Sequence, residues 1–252
     1  QLNSSLPLAK IDDENEKIFI PKLSLKVSPK HTIDQRNNSN KIDINNIYSI
    51  NRLSNKGFTE GGISLAYGAE YSLLKKKNKI LDIQIANNLR LDKNDDIQNF
   101  NQIGEKTSNL FGKIYYNPND YFETEYNFTL KNNLRDLNEE NLITTFKFDK
   151  LVSNFDYLNQ NTDSLKNLYI NNKTSYMIDE NNSLSFSTRK NKTKDLTEYY
   201  NFMYKYKNDC LAASIEYNKN FYNDRDVRGN ENLIFKLTII PFGETSTPNL
   251  RQ

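Results

Sequence analysis

The chain has 252 residues and a formal net charge of +2, and its length fits one large domain or two small ones. This charge is too small to indicate a nucleic-acid partner, and no stretch approaches the roughly 18 apolar residues of a transmembrane helix. Aromatic residues make up 12 % of the chain, which argues against disorder despite a mean hydropathy of −0.81.

The first residues form a lead-in, 1–17, without the charged head and apolar run of a signal peptide. The first residue is Gln1 and not Met, which favours a piece cut from a longer protein over a cytoplasmic protein. Beyond the lead-in we expect β-strands over 18–244 and a short tail over 245–252.

Apolar and polar residues alternate at every second position through most of the chain, which is typical of β-strands. In the second strand, for example, the apolar series runs from Ile63 to Leu73 with polar or small residues between. The pattern predicts twelve strands: 18–28, 62–74, 79–92, 107–117, 121–132, 140–149, 151–159, 166–178, 182–191, 196–207, 210–222 and 231–242.

The connections between these strands are alternately long and short, and the short ones hold turn residues such as KKKN, PND, ENN and ND. Outer-membrane barrels sort their connections in this way, with short periplasmic turns and longer outer loops. We therefore predict an all-β, antiparallel transmembrane β-barrel of about twelve up-and-down strands, closed or incomplete. Strand 231–242 then ends in the periplasm and the loop 29–61 lies outside. The alternative is a soluble β-sandwich, whose apolar face packs against a second sheet.

A sheet that spans a membrane must form its backbone hydrogen bonds between its own strands. One face of the sheet then contacts lipid, and the other faces a lumen. The averaged composition is then hydrophilic even though one face is apolar. The residues expected on the lumen side offer hydrogen-bond partners to sugars and phosphates, and they are Ser64, Gly68, Glu70, Ser72, Asp82, Gln84, Asn88 and Arg90.

Candidate catalytic and metal-binding residues are scarce. The single histidine, His31, lies at the root of a long loop with Asp34 as its nearest acid, and one His with one Cys cannot form a zinc cage. We expect no enzymatic activity, no metal and no cofactor. The single cysteine, Cys210, follows a short turn at the predicted periplasmic end, where its thiol is either idle or paired with a partner outside this chain.

Several segments resemble the LPS-assembly protein LptD family, also called organic solvent tolerance proteins. NIYSINRLSNKGFTEGGISLAYGAEYS (46–72) is similar to that family's N-R-F-S-G-x-D-R-x-E-G-G segment, although NKGF replaces G-x-D-R. IFIPKLSLKVSP (18–29), the strand pair 107–130 and the terminal segment 206–244 resemble further family segments. The residues that match the family's loop motif are Asn51, Arg52, Gly57, Glu60, Gly61 and Gly62.

The resemblance implies the C-terminal part of a barrel in the Gram-negative outer membrane that inserts lipopolysaccharide into the outer leaflet. It implies as partners lipopolysaccharide, outer-membrane lipid, an LptE-type lipoprotein plug and an LptA-type bridge reached through a periplasmic domain. Cys210 matches the family's C-terminal cysteine position, whose disulfide partner lies in that domain. The last strand would line a lateral seam with Leu233, Phe235, Leu237, Ile239 and Pro241. An unrelated porin or adhesin-type barrel is the alternative function.

Overall fold

The computed structural model describes residues 1–29, 34–36, 41–53, 60–97, 100–162, 166–221 and 229–240, together with the backbone of Gly243–Ser246. These residues form strands without helices. The strands are β1 (Leu2–Ser5), β2 (Leu8–Ile11), β3 (Asn15–Ser28), β4 (Gly62–Lys75), β5 (Asn78–Arg90), β6 (Leu110–Asn119), β7 (Phe122–Leu130), β8 (Leu137–Phe148), β9 (Leu151–Asn161), β10 (Lys166–Met177), β11 (Asn182–Asn191), β12 (Leu196–Lys207), β13 (Leu211–Asn220), β14 (Glu231–Ile239) and β15 (Gly243–Ser246).

The strands belong to one sheet in which, from β3 onward, each strand neighbours the next in the chain. Every pairing between two strands with a defined register is antiparallel, so the predicted all-β, antiparallel, up-and-down fold is confirmed. This is the connectivity of up-and-down β-barrels. The twelve predicted strands correspond to β3–β14, with ends that differ by a few residues.

Three short strands were not predicted. Within the lead-in, β1 and β2 both pair with β3, and β15 pairs with the end of β14. The last predicted strand was expected to reach residue 242, but β14 ends at Ile239 and the chain returns as β15. The predicted strand 107–117 begins later, at Leu110, because Ser108 and Asn109 are held in a loop.

The tight turn between β4 and β5 shows why the strands reverse where they do. Lys76 and Lys77 both have positive φ, 48° and 68°, as the central residues of a type I′ turn require. That turn type matches the right-handed twist of the flanking strands and fixes their register, with Lys75 opposite Asn78.

The chain divides into two compact units. Unit 1 is built mainly from Gln1–Asn119 and Thr124–Asn141, and unit 2 mainly from Leu142–Asn159 and the residues from Lys166 onward. Within the described residues, the buried hydrophobic side chains all belong to unit 1. They are Ile42, Ile44, Ile47, Leu53, Ala66, Ala86, Ile97, Ile103 and Phe111.

Candidate functional site

One face of β3, β4 and β5 in unit 1 carries polar and small side chains. The register places Lys26 opposite Ser64 and Ser64 opposite Arg90, so these three side chains share a face. The residues predicted to face a lumen occupy this face of β4 and β5, which we name the polar face. Those with buried side chains are Ser64, Ser72, Asp82, Asn88 and Arg90.

The long loop between β3 and β4 covers part of the polar face. Its residues 41–53, the covering segment, contribute Ile42, Ile44 and Ile47 to the buried hydrophobic cluster, and these pack with Ala66 and Ala86 of the sheet. Small side chains on the two strands leave room for the isoleucines. The sequence analysis assigned this loop to the outer side and did not predict its packing against the sheet. The apolar residues spaced through IDINNI were the signal for that packing.

A buried carboxylate anchors the covering segment to the sheet. Glu60 is 3 % exposed and accepts two hydrogen bonds from the guanidinium of Arg52, at 2.7 Å from Nε and 2.6 Å from Nη2. Arg90 of β5 also pairs with Glu60, and the Lys26 ammonium lies 3.4 Å from it. Burial by itself would raise the pKa of Glu60, but the three cations outweigh burial and lower that pKa to about 2.

Arg52 joins the loop to two strands through its remaining donors. Its Nη1 donates to Asn88 Oδ1 of β5 at 2.8 Å and to the Ile47 carbonyl at 3.2 Å. Its Nη2 also donates to Ser64 Oγ of β4 at 3.1 Å. The planar guanidinium suits this role because its five N–H groups point in fixed directions.

Two glycines make room for this arrangement. Gly62 begins β4 with φ of 90°, a conformation that residues with a side chain rarely adopt, and a Cβ there would lie 3.0 Å from Nη2 of Arg90. At Gly68 a Cβ would collide with the Tyr48 hydroxyl and with the backbone of β5. Burial, with a smaller contribution from the Glu70 charge, raises the pKa of Tyr48 to about 12, so its phenol stays neutral.

Further residues predicted for the lumen form hydrogen bonds at the end of the polar face near the turn between β4 and β5. Asp82 accepts from Ser72 Oγ and from Lys79 Nζ, both at 2.7 Å, and from Gln84 Nε2 at 2.7 Å. Glu70 pairs with Lys22 of β3 at 2.5 Å. The register therefore puts all eight residues predicted for a lumen on one face of two paired strands. Apart from Gly68, they present carboxylate, amide, hydroxyl and guanidinium groups.

The remaining residues of the loop motif lie close to this network or outside the described part of the chain. The Gly61 carbonyl accepts a hydrogen bond from Arg90, and Asn51 is exposed beside Arg52. Gly57 lies outside the described residues, as does His31. Sequence reasoning missed Lys26 and Tyr48, because a lysine in a strand and a tyrosine in a loop carry no signal of burial.

The other predicted site residues belong to unit 2. Cys210 is exposed in the turn 208–210, where its N–H donates to Asn208 Oδ1 at 3.0 Å. The seam residues Leu233, Phe235, Leu237 and Ile239 lie on one face of β14, and β15 pairs with β14 along Lys236–Ile239. Pro241 lies outside the described residues.

The site chemistry is that of hydrogen bonding and charge. Within the described ranges, no group of three or more His, Cys, Asp or Glu residues is placed to hold a metal ion. None of the described residues forms a helix, and so none builds an apolar helix of membrane-spanning length. Amides, hydroxyls and ion pairs of this kind can bind sugar hydroxyls and phosphates.

No protein-family model matches the chain, and no curated protein does. Among solved structures, the chain is similar to a mutant of Rh. blastica porin, with 6 % sequence identity and a TM-score of 0.34 over 97 % of each chain. A TM-score this low supports no conclusion about fold or function.

Proposed function

We propose that the chain is part of an outer-membrane β-barrel, whose apolar strand faces contact lipid. One observation carries this proposal: in the described residues the usual distribution of side chains is inverted. Buried polar residues outnumber buried hydrophobic ones, while large apolar side chains on most strands are exposed. In a soluble sandwich those side chains would pack against a second sheet.

Unit 2 gives the clearest example. The register sets Phe186 of β11 opposite Phe202 of β12, and Ile215 of β13 opposite Phe235 of β14. These four side chains are 39–46 % exposed. Removing such a side chain from water is worth about 1.5–3 kcal/mol, so rows of them across four strands favour transfer into hydrocarbon.

Unit 1 has the same inversion. Phe19, Leu23 and Val27 alternate along β3 on the face opposite Lys22 and Lys26, and all three are exposed. The polar face behind them is covered by a loop that contributes its own ion pairs. This arrangement supports a lumen closed in part by the covering segment.

The finer proposal is a part of the translocon that inserts lipopolysaccharide at the cell surface. Its support is the resemblance to the LptD family, together with the contacts of the matching residues. One network of hydrogen bonds and ion pairs joins the motif residues Arg52, Glu60 and Gly61 to the strands of the sheet. The role is structural and non-catalytic: the polar face offers hydrogen-bond partners to sugars and phosphates, and β14 lines the exit for lipid.

The proposed orientation follows from loop length. The turns 76–77, 149–150 and 208–210 are short, which is typical of the periplasmic side. In the proposed orientation, the long loop between β3 and β4 is then at the outer end of the barrel. The C-terminus is then periplasmic, as is Cys210, whose proposed disulfide partner lies in a periplasmic domain. The proposed partners are an LptE-type plug and an LptA-type bridge.

Depletion of the full-length protein in its own bacterium tests the finer proposal. We expect newly made lipopolysaccharide to disappear from the outer leaflet, measured by surface labelling, while the purified protein shows heat-modifiable migration in gels. Heat-modifiable migration with normal surface lipopolysaccharide would favour a porin or adhesin-type barrel. Partition of the protein into the aqueous phase during detergent extraction would favour a soluble sandwich.

A further inference from the structure

A groove of about 260 Å³ opens on the apolar face of unit 1, where β2 and β3 approach the short turn of β4. Asn15, at the start of β3, pairs with Lys75, and the N–H of Lys76 donates to the Glu14 carbonyl at 3.1 Å. These contacts hold the start of β3 beside the turn between β4 and β5. The residues that line the groove are Leu8, Ala9, Lys10, Lys17, Phe19 and Tyr71.

The two lysines of the groove face each other across the β2–β3 ladder. The register sets Lys10 directly opposite Lys17, one step from the Leu8–Phe19 pair on the same face. Like charges placed directly opposite destabilise a sheet. Within the described part of the chain, neither ammonium has an ion pair with a carboxylate. An anion between the two ammonium groups would offset their repulsion.

We propose that this groove binds an anionic glycerophospholipid, with its phosphate between Lys10 and Lys17 and its acyl chains along Leu8 and Phe19. The proposal rests on the proposed function, since it requires the apolar face to contact a bilayer. The aliphatic series on β2 and β3 ends in these lysines at the short-turn end, which is where headgroups of the inner leaflet lie. Tyr71 adds an amphipathic ring, which suits that depth.

The apolar wall is what favours a lipid over free phosphate. Two ammonium groups alone would bind any small anion weakly in water, whereas Leu8, Phe19 and Tyr71 can also cover the glycerol and the first carbons of the acyl chains. Lysine stems can lie along an apolar wall of this kind while their charges reach the aqueous side, as lysines do at membrane interfaces.

The test is a titration of the full-length protein, purified in non-ionic detergent, with short-chain phosphatidylglycerol, read by native mass spectrometry. The variant Lys10→Gln/Lys17→Gln should bind about twenty-fivefold more weakly than the wild type, since each lysine near an anionic headgroup contributes about fivefold. The variant Lys10→Arg/Lys17→Arg keeps both charges and should bind within threefold of the wild type.

The matched control is Lys76→Asn/Lys77→Asn, which removes the same charge at the same end of the unit but outside the groove. Asparagine tolerates the positive φ of these two turn residues. This control should bind like the wild type. If Lys76→Asn/Lys77→Asn lost as much affinity as Lys10→Gln/Lys17→Gln, the binding would reflect general surface charge, and the proposal would be wrong. Unchanged binding by Lys10→Gln/Lys17→Gln would also overturn it.

Two further arms identify the ligand. Short-chain phosphatidylcholine should bind more weakly than phosphatidylglycerol, and inorganic phosphate should compete only at far higher concentration. If phosphate competes as well as the lipid, the site is a simple anion site and the lipid proposal is wrong. The titration needs neither a bilayer nor transport, so its failure is distinguishable from failure of the proposed function, which the depletion experiment measures.

Discussion

Glu60 is the residue on which the position of the covering segment depends. It is surrounded by Arg52, Arg90 and Lys26, and its carboxylate pairs with all three of these cations. Its removal would leave buried cations without their counter-ion, which costs far more than the loss of an exposed pair. Arg52 and Glu60 were identified from the sequence as motif residues, and Arg90 as a lumen-facing residue. Their contacts with one another were not predicted, because the pairing depends on how the loop folds back onto the sheet.

Replacement of Glu60 by glutamine tests this dependence. We expect Glu60→Gln to destabilise the loop by about 3–5 kcal/mol, since breaking a buried ion pair leaves a desolvated charge. Hydrogen exchange in residues 41–53 should become faster, while β10–β13 should be unaffected. The matched control is Glu105→Gln, which breaks a more exposed pair with Lys93 and should cost less than about 1 kcal/mol. Unchanged exchange in Glu60→Gln would contradict the anchoring role.

The pKa of Glu60 also sets a pH dependence. The pKa of this carboxyl is lowered from 4.5 to about 2 in the folded protein. Its contribution to stability is therefore fully present at pH values above the pKa of the unfolded state, and it is lost as the pH falls through the pKa of the folded state. The covering segment should therefore remain protected from exchange at pH 5 and lose protection as the pH falls from about 4 to 2. Loss of protection already at pH 5–6 would show that Glu60 is not held by the three cations.

At the scale of strands, β1 and β2 act as one interrupted strand along β3. Leu6, between them, donates its N–H to the Pro21 carbonyl at 3.2 Å. In an antiparallel ladder such a pair exchanges two hydrogen bonds, but Pro21 has no N–H to return. The ladder therefore loses a bond where β1 ends. These two strands escaped sequence prediction because they are only four residues each and the segment LNSSLPLAKI does not alternate cleanly.

Restoring the missing donor should join the two strands. We expect Pro21→Val to add a hydrogen bond from residue 21 to the Leu6 carbonyl and to stabilise the ribbon by about 0.5–1.5 kcal/mol. Hydrogen exchange over residues 2–11 reports the gain. The control is Ala69→Val, at the position opposite Pro21 on β4, which adds the same side chain without adding a donor. Equal protection in both variants would mean that side-chain packing, not the donor, limits the ribbon.

At the scale of the whole molecule, the sequence predicted the strands well because one physical constraint repeats along them. Apolar and polar residues alternate with period two because the two faces of each strand lie in different surroundings. The strands β4, β12 and β14 could therefore be predicted from their apolar series alone. The loops could not, since the covering segment is placed by contacts with strands distant in sequence. Loop length predicted an orientation, but not that Ile42 and Ile47 would be buried against the sheet.

The central claim is that the exposed apolar side chains contact hydrocarbon. Nitroxide labels at single cysteines in a Cys210→Ser background, with the full-length protein in lipid nanodiscs, measure this directly. A label replacing Phe235, on the apolar face of β14, should collide readily with oxygen and rarely with a water-soluble nickel chelate. Asn201 lies on the other face of the sheet, where its Nδ2 donates a hydrogen bond to Glu216 Oε1 at 2.6 Å. A label that replaces Asn201 should not collide preferentially with oxygen. Nickel accessibility at residue 235 equal to that of a water-exposed turn label would contradict the claim.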